Sequence, residues 1–185
     1  MFLRSFVIFL FSVLLIATPV LAQDHSVQNS KSIHDQLEKH RQDLLKALAS
    51  CGSRQTVFDF ITFQMSGPVV VLTGFTINGG YKNEAQSRIE KLDWVKHVVN
   101  EVQFLPVEPG AQDIRTGTLA ILRREVPQSF PQNHANIRIG VDKMVVTLVG
   151  YVEKFNKLRY EAALVQIKNL PLVKDVKDEV LISDK

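Results

Sequence analysis

The sequence contains little cysteine, little glycine and no large excess of either charge. Its 185 residues include one Cys and nine Gly, and 22 basic residues nearly balance 19 acidic residues, which leaves a net charge of +3. A single Cys excludes a scaffold held by internal disulfides, and the low glycine content excludes a collagen-like chain. The near balance of charge gives no argument for nucleic acid as a partner. A hydrophobic content of 45% with 22% charged residues is typical of a globular protein.

The sequence also lacks the motifs that commonly mark catalysis, metal binding or phosphate binding. None of the five His belongs to an H-E-x-x-H pair or to another pair at the helical spacing of metal ligands. There is no G-x-S-x-G nucleophile motif and no glycine-rich phosphate-binding loop. We therefore predict a protein with no catalytic residues, no metal site and no cofactor.

The one long hydrophobic run lies at the N-terminus. Arg4 precedes an apolar stretch over residues 6–17 that only Ser12 interrupts, and Val20-Leu21-Ala22 places small residues before a cleavage point. This pattern predicts a signal peptide over residues 1–22. A membrane anchor is the alternative, but the run is shorter than the roughly 20 residues that span a bilayer. We expect a periplasmic protein, with secretion from the cell left open.

Cys51 lies at the end of a helical pattern and is followed by Gly52, a residue that often ends helices. The sequence leaves two interpretations of this thiol. It is either a partly buried small residue or the site of an intermolecular disulfide in an oxidising compartment.

The remainder of the chain contains a duplication. The pattern V-x-L-x-G-aromatic occurs at residues 70–75 and again 76 positions later, at 146–151. The apolar positions that follow repeat at a spacing of 78, which indicates a turn that is two residues longer in the second copy. Gly74 and Gly150 each end the predicted central strand. We expect these two structural glycines to supply a positive φ or a close approach between strands.

Each copy is predicted to fold as helix, strand, strand, helix, strand. In the first copy the periodicity predicts helices over 33–49 and 82–92 and strands over 57–65, 69–76 and 98–104. The first helix has apolar residues at Leu37, Leu44, Leu45 and Leu48. In the second copy the pattern predicts one helix over 114–125 and another that contains Tyr160, Ala163, Leu164 and Ile167. It predicts strands around 137–141, over 144–152 and over 176–182. The first strand of the first copy has a mixed alternation, with Phe58 and Phe60 on one face and Ile61, Phe63 and Met65 on the other. This pattern leaves open a bulge or burial of both faces.

These patterns divide the chain into five parts. They are a signal peptide at 1–22, a flexible segment at 23–32, a first module at 33–105, a linker at 106–112 and a second module at 113–183. The linker is predicted because two Pro and one Gly in a short stretch oppose both helix and sheet. The predicted fold class is α+β, with two tandem αββαβ modules, each a three-stranded mixed sheet packed against two helices.

The two copies resemble the BON domain family in its two-copy form. The residues that carry the resemblance are Val70, Leu72, Gly74, Ala85, Val95, Val98, Asn100 and Val102 in the first copy and Val146, Leu148, Gly150, Ala163, Val173, Val176, Asp178 and Val180 in the second. Trp94 and Leu172 replace the glycine that the family usually has before the closing strand, and Asp178 replaces its Asn. The resemblance implies an exported, non-catalytic envelope protein that binds phospholipid or another envelope surface, in envelope maintenance or stress response.

Two clusters of basic and aromatic residues are candidates for binding anionic phospholipid or another envelope component. The first consists of Lys91, Trp94 and Lys96, and the second of Lys154, Phe155, Lys157 and Arg159. Basic groups attract anionic headgroups, and an aromatic ring anchors at the membrane interface. The alternatives are that Trp94 covers the edge of a core and that the second cluster is an ordinary solvated turn. Arg123 and Arg124 end a predicted helix, where they complement its dipole.

A second class of function also follows from the predicted fold. Small sheets expose strand edges, which pair with other chains, so a periplasmic chaperone-like or protein-interaction factor with protein partners is the alternative. A ring component of a secretion apparatus is a third hypothesis, which the oligomer size would test.

Overall fold

The computed structural model describes residues 21–51, 55–131 and 134–184, with side chains from Ser30 onward. Most of the predicted signal peptide and the predicted helix cap Gly52 therefore lie outside the described residues. Within the described residues, no helix has the length and apolar character needed to cross a membrane. The chain divides into two compact units, Met1–Arg41 and Gln42–Lys185, and the second unit contains both sheets.

The structure confirms the α+β class, with two mixed sheets that each follow the predicted order of strands and helices. The first module contains α1 (Leu21–Ala49), β1 (Phe60–Ser66), β2 (Val69–Thr76), α2 (Gly79–Ile89), β3 (His97–Asn100) and β4 (Gln103–Phe104). The second contains α3 (Pro109–Glu125), β5 (Ile137–Asp142), β6 (Val145–Glu153), α4 (Lys157–Lys168) and β7 (Asp175–Ser183). Short 3₁₀ turns lie at Pro127–Ser129 and Lys154–Asn156.

Helix α1 is longer than the sequence pattern predicted. It begins at Leu21, so the segment 23–32, which we expected to be flexible, is helical. No Pro or Gly lies between Val20 and Cys51, and these are the residues that most strongly end helices. Of the four leucines predicted on its apolar face, Leu44 is fully buried, whereas Leu37 is exposed.

Each sheet has a central strand with antiparallel pairing on one side and parallel pairing on the other. In the first sheet, β2 pairs antiparallel with β1 and parallel with β3 and β4. In the second, β6 pairs antiparallel with β5 and parallel with β7 along all nine residues of β7. The helices α2 and α4 cover the sheets with equivalent residues, because Ala85 and Ala163 are both fully buried.

The closing strand of the first module is divided into β3 and β4, where the sequence predicted one strand. The side-chain oxygen of Asn100 accepts a hydrogen bond from the backbone N–H of Val102, and its amide donates to the carbonyl of Lys82 on α2. Asp178 occupies the equivalent position and accepts from the N–H of Val180 and from the hydroxyl of Tyr160 on α4. The Asn or Asp of the repeat pattern therefore ties the closing strand to its helix in both modules.

Two buried tyrosines make the stability of the protein decrease at alkaline pH. Burial and the hydrogen bond to Asp178 raise the pKa of Tyr160, and burial raises the pKa of Tyr81 to about 12. The unfolded chain loses these protons near pH 10, whereas the folded protein keeps them, so the unfolding free energy falls above about pH 10. We expect Tyr160→Phe to reduce this decline in urea unfolding measured between about pH 9 and pH 11. A decline of unchanged steepness would contradict the assignment.

The linker is shorter than predicted. Helix α3 begins at Pro109, so residues 109–112 of the predicted linker 106–112 are helical. Proline is well suited to the first position of a helix, because the N–H that it lacks has no partner within the helix there. The buried guanidinium of Arg115 on α3 then donates to the carbonyls of Pro106 and Val141, which ties the linker to β5.

The two modules also pack directly against each other. Phe75 on β2 is buried with Leu105 and Val149, and the Phe60 ring lies 6.0 Å from the Phe75 ring between centroids. Phe58 lies before β1, where it packs against the core of the second module. Ile61, Phe63 and Met65 pack against the core of the first module, whereas Phe60 packs with Phe75, and the register of β1 with β2 is unbroken. Burial of both faces of β1 therefore explains the mixed alternation.

Candidate functional site

The longer turn of the second module presents apolar side chains to solvent. After β6, the chain makes the 3₁₀ turn Lys154–Asn156 and enters α4. Asn156 and Tyr160 point inward and are buried. Phe155 and Leu158 point outward, with 70% and 79% of their surface exposed. The two extra residues of this copy thus build a turn that holds a phenyl ring in solvent.

Helix α4 has two apolar faces. Tyr160, Ala163 and Ile167 lie on one face and are buried against the sheet. The opposite face carries Leu158 and Val165, seven residues apart, and Val165 is 60% exposed. An i, i+7 spacing places two residues on the same stripe of a helix, so the outward apolar stripe continues from Leu158 along α4.

Three basic residues are close in sequence to Phe155 and Leu158. Lys154, Lys157 and Arg159 are all exposed. The Lys154 ammonium lies 2.8 Å from a carboxylate oxygen of Asp184, and that of Lys157 lies 3.7 Å from Glu161. Exposed ion pairs of this kind contribute at most about 1 kcal/mol, so both lysines remain available to an anionic surface. We call the set Lys154, Phe155, Lys157, Leu158 and Arg159 the α4 corner.

A second exposed apolar pair lies on the strands that lead to the α4 corner. Tyr151 on β6 pairs in register with Leu181 on β7, and both side chains are exposed. Side chains of residues paired in register point to the same face of a sheet. The apolar surface of this module therefore includes strand residues as well as the turn.

The first predicted cluster has a different geometry. Lys91 and Lys96 are exposed, but Trp94 is half-buried and packs against the core of the first module. This arrangement supports the alternative in which the indole covers the edge of the core. Lipid binding by Lys91, Trp94 and Lys96 stays a prediction. The two clusters belong to different modules, and the structure does not combine them into one continuous site.

Sequence reasoning identified every member of the α4 corner except Leu158, and it also missed the exposed apolar residues Val165 and Leu181 outside the corner. A signal for Leu158 was present, because it falls opposite the face defined by Tyr160 and Ile167 at helical spacing. No comparable signal marked Leu181, since β7 mixes charged and apolar residues irregularly.

The edge strand β7 bears on the alternative of a protein-interaction factor. The N–H of Val176 donates to the side chain of Asp175, and that of Val180 donates to Asp178. Lys177 adds an exposed charge on the same strand. Charged side chains and satisfied N–H groups oppose pairing with another chain, so much of this edge is poorly suited to strand addition.

Cys51 is buried, and its thiol lies 3.4 Å from the Ala47 carbonyl, to which it donates. Burial raises the pKa of this thiol, which disfavours the reactive thiolate. The buried position supports the first interpretation of Cys51, that of a small core residue. Within residues 21–51, 55–131 and 134–184, no cluster of three His, Cys, Asp or Glu side chains could hold a metal ion.

The comparison with protein families assigns one module. Residues 118–184 match the sequence model of the BON domain family. The matched residues include the C-terminal part of α3 and all of β5, β6, α4 and β7. The first module has the same order of strands and α2, but this family model does not detect it. Its likeness to a BON domain therefore rests on the internal duplication and on the fold.

Comparison with solved structures finds distant similarity. A structure of CdsD, described as a structural protein of the type III secretion system of Chlamydia trachomatis, is 12% identical with a TM-score of 0.34, covering 76% of this chain and 92% of that chain. The C-terminal domain of CdsD is also 12% identical, with a TM-score of 0.33, covering 77% of this chain and 96% of that chain. No curated protein matches the sequence.

Proposed function

We propose that this protein is an exported, non-enzymatic envelope protein whose second module binds anionic phospholipid surfaces through the α4 corner. The observation that carries the proposal is the exposure of Phe155 and Leu158 within a group of three basic residues. The BON domain at 118–184 supports it, since this family is associated with membrane and envelope surfaces. Export is supported by the signal-peptide pattern of residues 1–22.

The chemistry of the α4 corner suits a membrane interface better than bulk water. Transfer of a Phe or Leu side chain out of water yields about 1.5–3 kcal/mol when burial is complete. A basic residue near an anionic leaflet contributes about 1 kcal/mol, and salt screens this term. The site therefore combines an apolar contribution that is insensitive to salt with an electrostatic contribution that salt weakens.

The test is co-sedimentation of residues 23–185 with vesicles, because the predicted signal peptide contains an apolar run that would itself bind lipid. Vesicles of phosphatidylglycerol and phosphatidylcholine in equal parts should bind the protein, and pure phosphatidylcholine should bind it more weakly. We expect Phe155→Ser/Leu158→Ser to reduce affinity for the anionic vesicles by about tenfold or more, because both inserted groups become polar. High salt should weaken binding of the unchanged protein.

The matched control replaces two exposed apolar residues outside the α4 corner. Phe104 and Val107 are both exposed, and Phe104→Ser/Val107→Ser makes the same kind of change elsewhere on the chain. The control variant should keep vesicle affinity within about twofold. Equal losses in the two double variants, or unchanged binding by the α4 corner variant, would refute the proposed site.

A further inference from the structure

A cleft of about 690 Å³ lies where the two modules meet. Its walls come from the end of α1, the segment that precedes β1, α3, the segment that precedes β5 and the start of β5. Lining residues that matter for its chemistry are Phe58, Leu119, Arg123, Phe130, His134 and Arg138. None of them belongs to the α4 corner, so the cleft is a separate feature. Its volume lies within the range of about 300–1,000 Å³ that is common for small-molecule sites.

The inner wall of the cleft is apolar. Phe58, Leu119 and Phe130 are partly buried and pack against the core of the second module. Their remaining exposed surface faces a concave space rather than a flat surface. Such a wall favours the aliphatic or aromatic part of a ligand, because burying that part removes apolar surface from water.

The charged groups that line the cleft all have the same sign. Arg123 and Arg138 contribute two guanidinium groups, and no Asp or Glu is among the described lining residues. One terminal nitrogen of Arg138 donates to the carbonyl of Thr56 at 2.9 Å, which holds this side chain against the first module. Arg138 is half-buried, and this burial lowers the pKa of its guanidinium. A cation in such surroundings attracts an anion more strongly than a fully solvated one.

One anionic group outside the cleft, Asp59, interacts electrostatically with Arg138 and partly offsets its charge. Asp59 is fully buried, and its two carboxylate oxygens accept hydrogen bonds from Thr56, Thr76 and Ile77. It does not line the cleft. Arg123 and Arg138 are therefore the charged side chains that the described lining presents to an external ligand.

We propose that this cleft binds a small amphipathic anion, in which a carboxylate, sulfonate or phosphate is joined to a short aliphatic or aromatic group. The anionic group would lie between Arg123 and Arg138, and the apolar group would lie against Phe58 and Phe130. The inference is independent of vesicle binding by the α4 corner, because the two surfaces share no residue.

The test uses the fluorescent probe 8-anilinonaphthalene-1-sulfonate, which combines a sulfonate with aromatic rings. The protein without its predicted signal peptide, residues 23–185, should bind the probe, and octanoate should displace it. Octan-1-ol, which has the same chain length without the charge, should displace it at least about fivefold less effectively, since it cannot pair with the arginines. Absence of probe binding, or equal displacement by octanoate and octan-1-ol, would overturn the proposal.

Two neighbouring arginines provide matched variants. Arg123 lines the cleft, whereas Arg124 pairs with Glu125 outside it. We expect Arg123→Gln to weaken octanoate displacement by about tenfold and Arg124→Gln to leave it within about twofold. Equal weakening would indicate general attraction to positive charge and would overturn the assignment.

The α4 corner variants separate this site from the lipid surface. Phe155→Ser/Leu158→Ser should bind the probe and octanoate normally, and Arg123→Gln should retain vesicle binding. Loss of the probe in Phe155→Ser/Leu158→Ser would place the probe on the α4 corner and would refute the cleft as its site. Failure of vesicle binding together with specific octanoate binding would refute the proposed function and leave the cleft assignment standing.

Discussion

Replacing Gly150 with Ala is expected to destabilise the protein by about 4 kcal/mol or more, which is close to the whole stability of a small module. Gly150 lies inside β6 with a φ of +132°, a backbone conformation that residues other than glycine rarely adopt. A Cβ at this position would lie 1.9 Å from the backbone oxygen of Asn136. Because the clash is with backbone, a rotation of a side chain cannot remove it, and the strands β5 and β6 would have to move apart.

Urea unfolding followed by circular dichroism measures this effect, with two further variants as references. Gly74→Ala should be similarly severe, because Gly74 has a φ of +111° and its Cβ would lie 2.0 Å from the Phe60 oxygen. Gly67→Ala should cost only about 1–2 kcal/mol, because Gly67 has a φ of +57° but no atom within 4 Å of the added carbon. If Gly150→Ala costs no more than Gly67→Ala, the close approach of the strands is not the reason for this glycine.

The glycines show how far sequence reasoning reaches in a repeated fold. The two V-x-L-x-G patterns correctly predicted a positive φ at Gly74 and Gly150. We described both glycines as ending the central strand, although the predicted strands 69–76 and 144–152 already extended beyond them. The structure places each glycine inside its strand, because β2 continues to Thr76 and β6 to Glu153. A sequence pattern identifies a residue with special backbone needs, but whether the strand continues beyond it depends on pairing with the neighbouring strands.

Interactions between modules could not be predicted in the same way. Duplication indicates two similar cores, but it contains no information on which surfaces of the modules meet. Phe58 and Phe60 therefore appeared as an irregular strand, although each has a defined partner in the folded chain. The cleft was missed for the same reason, since Arg123 and Arg138 are distant in sequence and Arg123 was interpreted from its helix alone.

The candidate surface site was partly predictable. Lys154 and Phe155 were found because the second copy has a longer turn and because basic and aromatic residues alternate there. Leu158 and Leu181 were missed because apolar residues in a helix or strand are by default assigned to the core. Their exposure follows from tertiary structure, since α4 already covers the sheet with its opposite face.

Replacing Phe75 with Ala is the second prediction with a large expected effect, about 3–5 kcal/mol of unfolding free energy. Phe75 is buried between the modules with Leu105 and Val149. Truncation would leave a cavity at the contact between the two sheets, which neither module can fill alone. Phe104→Ala is the matched control, because Phe104 is exposed on β4, which pairs with β2 next to Phe75, and it should cost less than about 0.5 kcal/mol.

The same contact can be tested from the side of the second module through Gly140. A Cβ on Gly140 would lie 3.0 Å from the Phe75 ring, so Gly140→Ala alone should destabilise the protein by about 1–3 kcal/mol through overpacking. In the Phe75→Ala background the added methyl enters the space that the ring has left, and its cost should fall by about 1–2 kcal/mol. Strict additivity in this double-mutant cycle would show that the ring and Gly140 do not meet.

Coupling of this size has a consequence for how the modules unfold. If the Phe75 contact holds the modules together, the unchanged protein should unfold in one transition by circular dichroism and by the fluorescence of Trp94, which reports on the first module. Phe75→Ala should separate the two signals, because the modules then retain their own cores but lose much of their shared surface. Coincident transitions in Phe75→Ala would show that other contacts, such as those of Arg115 with Pro106 and Val141, suffice to couple the modules.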